Sequence, residues 1–260
     1  MVTIIGRKIR IKCQSVMTSN AFSTEVIQRD PPNAVVYDLS QANQVTITLP
    51  SGSTWSSGLH WHEKHVEYLR VVQGTVRVRL GNTVQTVTAS RSEDSSQEIR
   101  VAKNVWHEWC RAEPGGEDVI VVERTDPEDG EKAAFFWNLN GVILKAQRSN
   151  KPTAIPGVIF GLIMDFWVTL NLFVIFRNLD NIPVFVNLAE MISQRGIAVA
   201  EGSLKQKLLK KIEWFWSHTV LEIASILGWA LGVHPVREDF TPAEVIHRWS
   251  SKNAPAQKLS

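Results

Sequence analysis

Between residues 35 and 125 the chain changes polarity at almost every step. The runs 35-VVYDL, 44-QVTITL, 66-VEYLRVV, 75-TVRVRL, 84-VQTVTA, 98-EIRVA, 105-VWHEW and 118-DVIVVE all alternate apolar and polar side chains with a period of two. A strand sends successive side chains to opposite faces, so the pattern asks for sheets with one dry face and predicts an antiparallel sandwich or barrel. Gly74 and 81-GN mark hairpin turns, 91-RSEDSSQ is a polar loop, and 113-EPGGED is a turn rich in Pro and Gly. The expected organisation is an N-terminal strand or arm over 1–34, a β-barrel over 35–150 and a hydrophobic helical region over 151–260.

Beyond residue 150 the alternation stops. Behind 149-SNKPTAIPG, the stretch 155-IPGVIFGLIMDFWVTLNLFVIF-176 carries a single ionisable residue, Asp165. At helical rise, ~20 mostly apolar residues suffice to cross a bilayer. A second apolar stretch, 212-IEWFWSHTVLEIASILGWALGV-233, contains Glu213, His218 and Glu222, and 203-SLKQKLLKKIEWF has apolar residues at helical spacing with lysines on the other side. Two readings stand. In one, 155–176 and 212–233 form a helical hairpin packed on the barrel or on a second copy in a homodimer. In the other they associate with a membrane, spanning it or lying in its interface, with Trp214, Trp216 and Trp229 near the headgroups. The tail 250-SSKNAPAQKLS is polar and expected to fray.

Charge is nearly balanced, with 28 Lys plus Arg against 26 Asp plus Glu, so nothing points to a nucleic-acid partner. Cys13 and Cys110 are too few for a disulfide framework. The start, MVTIIGRKIRIKCQS, lacks the apolar core of a signal peptide, which predicts an intracellular location.

Three of the seven histidines fall between positions 60 and 65. On a strand His60 and His62 project the same way and can share a ligand. Glu67, Leu69 and Val71 share a face, with Arg70 on the other, and Val76, Val78 and Leu80 point inward against Arg77 and Arg79. That places Glu67 at the mouth of an apolar interior, where an ionised carboxylate needs a partner. A divalent cation held by His60 and His62 provides one. His107 shares the parity of Val105 and Trp109 and would complete a shell of three imidazoles and one carboxylate, suited to Fe, Mn, Ni, Co, Cu or Zn. The competing reading is a metal-free barrel whose polar groups bond to one another or to a ligand. His65 and Glu63 read as solvated turn residues, Glu63 being also a candidate acid or base at the pocket rim. Trp109, with Leu69, Val71 and Val78, is the expected wall of a substrate pocket for a ring-bearing molecule. Trp61 and Trp106, of opposite parity, are expected between sheets or subunits, and Cys110 as a small buried hydrophobe.

His60-x-His62, four residues, Glu67, six residues and Gly74 resembles the first motif of the cupin superfamily, and His107 resembles the histidine of its second motif. Thr54 stands where that family has a leading glycine, and Ala102, Asn104 and Arg111 stand at the proline, glycine and asparagine positions of the second motif. Asn104 still suits a turn, because Asn tolerates positive φ. The resemblance covers about residues 35 to 125. It implies a jelly-roll β-barrel, with His60, His62, Glu67 and His107 as ligands of a divalent metal. In general layout the chain is similar to single-barrel cupin proteins of fungal secondary metabolism. That implies an enzyme oxidising, isomerising or cyclising a small hydrophobic or aromatic polyketide- or terpenoid-like substrate. The alternative is a membrane-tethered module that binds a small ligand without catalysis.

Overall fold

The computed structural model describes residues 25–90, 98–148, 157–196, 200 and 202–253. The expected loop 91–97, Cys13 and most of the N-terminal arm lie outside them. Ten strands come first: β1 (Val26–Arg29), β2 (Val35–Asp38), β3 (Gln44–Leu49), β4 (His60–Trp61), β5 (Val66–Gln73), β6 (Thr75–Leu80), β7 (Thr83–Thr88), β8 (Glu98–Val101), β9 (His107–Arg111) and β10 (Val119–Asp126). Then follow α1 (Glu131–Arg148), α2 (Gly157–Asn178), β11 (Ile182–Pro183), α3 (Leu188–Gln194), α4 (Leu204–Ala230) and α5 (Ala243–Asn253). The chain is a mainly-β barrel of jelly-roll type followed by apolar helices.

The strands form two antiparallel sheets, one ordered β1-β2-β3-β10-β5-β8 and the other β11-β4-β9-β6-β7. Alternation decides which residues face the space between them. Val45, Ile47 and Leu49 of β3 are buried, as are Leu69 and Val71 of β5 and Val76 and Val78 of β6. Gly74 joins β5 to β6 at φ +75°, and a Cβ there would lie 2.8 Å from a Val119 methyl and 3.1 Å from the Asp118 carbonyl. Gly74→Ala should therefore lower stability by about 1–3 kcal/mol, from left-handed strain alone before any clash. An unchanged denaturation midpoint would contradict this geometry. Asn104 takes φ +63°, as its residue type allows.

Three features depart from expectation. The barrel interval 35–150 ends in a helix, α1, whose Ala134, Phe135, Phe136, Trp137 and Val142 are buried. A helix buried on most of its circumference shows no polar stripe, so its period is not visible in the sequence. Next, 203–230 is a single helix, α4, capped by the Ser203 side chain accepting from the Gln206 amide, so the second apolar stretch does not stand alone. Finally, Ser250–Asn253 belong to α5 rather than to a frayed tail.

The helical half is joined to the barrel. β11 pairs with β4, Ile182 opposite Trp61 and Pro183 opposite His60. Trp61, Ile182 and Leu221 form a buried cluster with Trp106 against it, so Trp61 and Trp106 pack under the helices. Cys110 is half-buried, with the Arg77 guanidinium 3.4 Å from its sulfur. Gly228 of α4 lets α2 approach so closely that a Cβ would lie 2.5 Å from a Val174 methyl. Arg177 of α2 pairs with Glu222 of α4, and Glu213 accepts the Leu188 and Ala189 amides at the start of α3. These polar side chains in the apolar stretches are thus engaged with protein. Large apolar side chains nonetheless remain uncovered: Val158, Leu162 and Phe166 of α2 and Phe215, Ile226 and Trp229 of α4 are all more than half exposed, with the exposed Asp165 and the half-exposed Glu222 on the same stripes. Among the described residues one helix, Val158–Asn178, is long and apolar enough to cross a membrane.

Candidate metal centre and its cavity

β4 and β9 pair so that His60 lies directly opposite His107, and β5 brings Glu67 in from the other sheet. His60, His62, Glu67 and His107 are all buried, each offering one ligand atom, and these atoms lie within 4.8 Å of one another. The His60 and His107 rings are 4.1 Å apart between centroids, and His62 is 5.2 Å from His107.

The outer nitrogens reveal the tautomers. His60 Nδ1 donates to the Gly58 carbonyl at 2.8 Å, His107 Nδ1 to the Val105 carbonyl at 2.9 Å, and His62 Nδ1 to the Asp180 carbonyl. A carbonyl only accepts, so each ring carries a proton on Nδ1, and Nε2 is the nitrogen turned to ligation. The Nε2 atoms of His62 and His107 are buried without an aligned hydrogen-bond partner. Yet Glu67 oxygens lie 3.6 Å from the first and 2.8 Å from the second. Imidazoles oriented through Nδ1 by carbonyls, with Nε2 beside a carboxylate, are the donor set a divalent transition metal takes. Burial first, then the neighbouring His107 and His62 rings, keeps the pKa of His60 well below the usual histidine range.

Lys132, at the start of α1, was not foreseen. Its ammonium bridges Glu67 and Glu123, the latter at 2.9 Å, and Glu123 also accepts the Trp109 indole N–H at 2.7 Å. Burial works against the Glu67 charge, but Lys132, with His107 and His62, outweighs it and holds this carboxyl well below the usual carboxylate range. Glu123 was legible in principle, because it shares the parity of the buried Val119 and Val121 in 118-DVIVVE. Lys132 carried no such signal: it lies on a helix and its partners lie far away in sequence.

The turn expected to be solvated is not. His65 is 3 % exposed; its Nδ1 meets Asp180 at 2.7 Å and its Nε2 meets Asp129 at 3.0 Å. Burial opposes its charge, but Asp129 and Asp180 prevail and raise its pKa to about 9. Asp180, at φ +46° just after α2, also accepts the amides of Glu63, Lys64 and His65 at 2.8, 2.9 and 3.1 Å. Through this one residue the helical half holds the ligand loop in place. Glu63 is not at the pocket rim. Its carboxylate accepts from Trp214 and His218 of α4, each at 2.9 Å, and from Trp61 at 3.3 Å, so it is a strut to α4 and not an acid or base facing substrate.

A cavity of about 260 Å³ opens over the cluster, with His60, His62, Glu67 and Lys132 in its lining. Its apolar wall is built by Tyr37, Trp55, Phe135, Phe136, Leu172 and Phe176, from two strand regions and two helices. Trp109, Leu69, Val71 and Val78, expected to line it, do not. They are 1, 1, 6 and 1 % exposed and fill the core between the sheets. Inward parity marks a residue as buried, and only the position of α1 and α2 decides which buried residues border empty space. Trp55, its ring 4.9 Å from that of Trp109 and tilted 58° to it, takes the wall position instead.

Comparison with protein-family models and with curated proteins finds no match. Solved structures similar to this chain include the capsular polysaccharide assembling protein CapF from Staphylococcus aureus, at 15% identity over 42% of this chain and 30% of that one, TM-score 0.31. They also include a predicted oxalate decarboxylase from Thermotoga maritima, at 17% identity over 43% of this chain and 97% of that one, TM-score 0.30. A cupin 2 domain-containing protein from Halorhodospira halophila matches at 20% identity over 32% of this chain and 49% of that one, TM-score 0.25. The chain thus spans under a third of the length of CapF.

Proposed function

We propose that this chain is a metal-dependent enzyme of cupin type, acting on a small hydrophobic or aromatic molecule of polyketide- or terpenoid-like character. The observation that carries this reading is the convergence of Nδ1-anchored imidazoles 60, 62 and 107 with Glu67 at one end of a largely apolar cavity. His60, His62, Glu67 and His107 would hold the ion. An ion of Fe, Mn, Ni, Cu or Zn bound there supplies Lewis acidity towards substrate oxygens or, for iron and copper, dioxygen activation. The chain's own residues do the rest. The aromatic wall holds the apolar body of the substrate and excludes water, the Gly58, Val105 and Asp180 carbonyls keep the ring protons on Nδ1, and Lys132 balances the Glu67 charge.

Anaerobic purification followed by elemental analysis tests this directly. About one chelatable transition-metal ion per chain supports the enzyme, and dioxygen uptake with phenolic substrates then separates oxidation from isomerisation or cyclisation. A folded protein that neither retains nor takes up metal supports the second reading, a non-catalytic module for a small ligand. Lys132 favours that second reading in one respect, because its ammonium already gives Glu67 a cationic partner.

The exposed apolar face of α2 and α4 supports association with a membrane. Large contiguous apolar patches mark such surfaces or protein interfaces. Purified chain should float with liposomes in a density gradient, and a Leu162→Glu, Phe166→Glu, Phe215→Glu variant should stay at the bottom. Failure of the unaltered chain to float, with a dimer mass in detergent-free buffer, would assign the face to a second copy instead.

A further inference from the structure

Three cationic side chains line the cavity, Arg29, His65 and Lys132, and they are placed differently, His65 being held between Asp129 and Asp180. Lys132 is bridged by Glu67 and Glu123. Arg29, the last residue of β1, has no carboxylate partner among the described residues. Its Nε donates to the Asn140 side-chain oxygen at 2.7 Å, and Asn140, fully buried on α1, is itself fixed by donating to the Phe136 carbonyl at 2.8 Å. The guanidinium carbon lies 5.2 Å from the centre of the Tyr37 ring, another cavity residue. Its Nη2 is buried and has no hydrogen-bond partner.

A guanidinium does not release its proton in proteins, so a dehydrated Nη2 beside an apolar wall is a costly charged donor without an acceptor. Burial, only partly offset by Tyr37, lowers its pKa from the ordinary value, the direction expected of a partly buried cation without an anion beside it. Asn140 aims it and Tyr37 flanks it. We infer that Arg29 binds an anionic oxygen of a small carboxylic acid whose apolar body lies against the aromatic wall. The substrate class of the proposed enzyme is then an aromatic or aliphatic monocarboxylate. This rests on the cavity being the substrate site. One cation without a carboxylate partner among the described residues suits a monoanion, since Glu67, Glu123, Glu131 and Asp180 also line the cavity and a phosphate dianion would bring a second negative charge beside them.

Calorimetric titration of the full chain, stripped with chelator so that a metal cannot bind the acid, tests the inference. The probes are benzoate, phenylacetate and hexanoate, each against its primary amide. At least one acid should bind about tenfold or more tightly than its amide, as a hydrogen bond to a charged group implies. Arg29→Met should bring that acid down to the affinity of its amide, leaving amide binding unchanged. Arg29→Gln, which keeps a polar side chain in contact with Asn140, should do the same if the methionine variant does not fold. Equal binding of every acid and amide pair, or a preference that survives removal of the guanidinium, overturns the inference. Metal content of the unstripped protein is measured separately. Acid binding dependent on Arg29 in a chain that takes up no metal would uphold this inference while removing the metal-enzyme reading, and metal uptake without acid preference would do the reverse.

Discussion

A His60→Ala, His62→Ala double variant should leave purification with less than about a tenth of the metal of the unaltered chain and with its sheets intact. Three ligands on a divalent ion already sit at the low end for a protein site, and even loss of a single outer partner lowers metal affinity ~10–100-fold. Removing two of four ligands leaves only His107 and Glu67, and Glu67 has Lys132 as a competing partner. The sheets should survive because the main cluster that holds them together, from Val35 and Ile47 to Val76 and Trp109, contains none of the four groups. Elemental analysis reads the first outcome and far-ultraviolet circular dichroism the second. Full metal content in the folded variant would place the ion elsewhere and remove the basis of the catalytic proposal.

Lys132→Met should cost about 3–5 kcal/mol in metal-free protein, the range seen when one partner of a buried ion pair is removed. The cost arises because Glu67 and Glu123, 2 and 4 % exposed, both direct an oxygen at this one ammonium. Methionine fills similar volume, so the loss reports charge rather than a hole. Adding Glu123→Gln to the variant should recover a large part of it by removing one of the stranded charges. Added divalent metal should also raise the denaturation midpoint of Lys132→Met more than that of the unaltered chain, because an ion bound to the folded state stabilises it by mass action and here also supplies Glu67 with a cation. Equal midpoints for variant and parent without metal would show that Lys132 is not the counter-ion the carboxylates depend on.

Much of the barrel was legible because its signal is local. Alternation assigned Val45, Ile47, Leu69, Val71, Val76 and Val78 to the dry face, and the same parity put Glu67 among them. Gly74 and Asn104 marked backbone turns through residue type alone. The spacing of His60, His62 and Glu67, with His107 beyond, singled out the groups that the fold brings within 4.8 Å. Less legible was what surrounds them. His65 looked like a turn residue because nothing near it in sequence hints at Asp180, which lies 115 positions away. Glu63 looked free for chemistry until α4 supplied Trp214 and His218. Trp109, Leu69, Val71 and Val78 were rightly inward-facing, but whether an inward residue fills core or borders a void is settled by which helix comes to rest over it.

Side-chain period and turn chemistry act between neighbours a few residues apart, so the order of residues was enough to set the strands, their dry faces and the shared direction of His60 and His62, while the pairing of β4 with β9 brings in His107. The cavity, the Lys132 counter-ion, the Asp180 clamp on the ligand loop and the unpartnered Arg29 donor depend on contacts between segments separated by scores of residues. A buried charge or an empty volume is a property of everything packed around it, and only the folded chain brings those partners together.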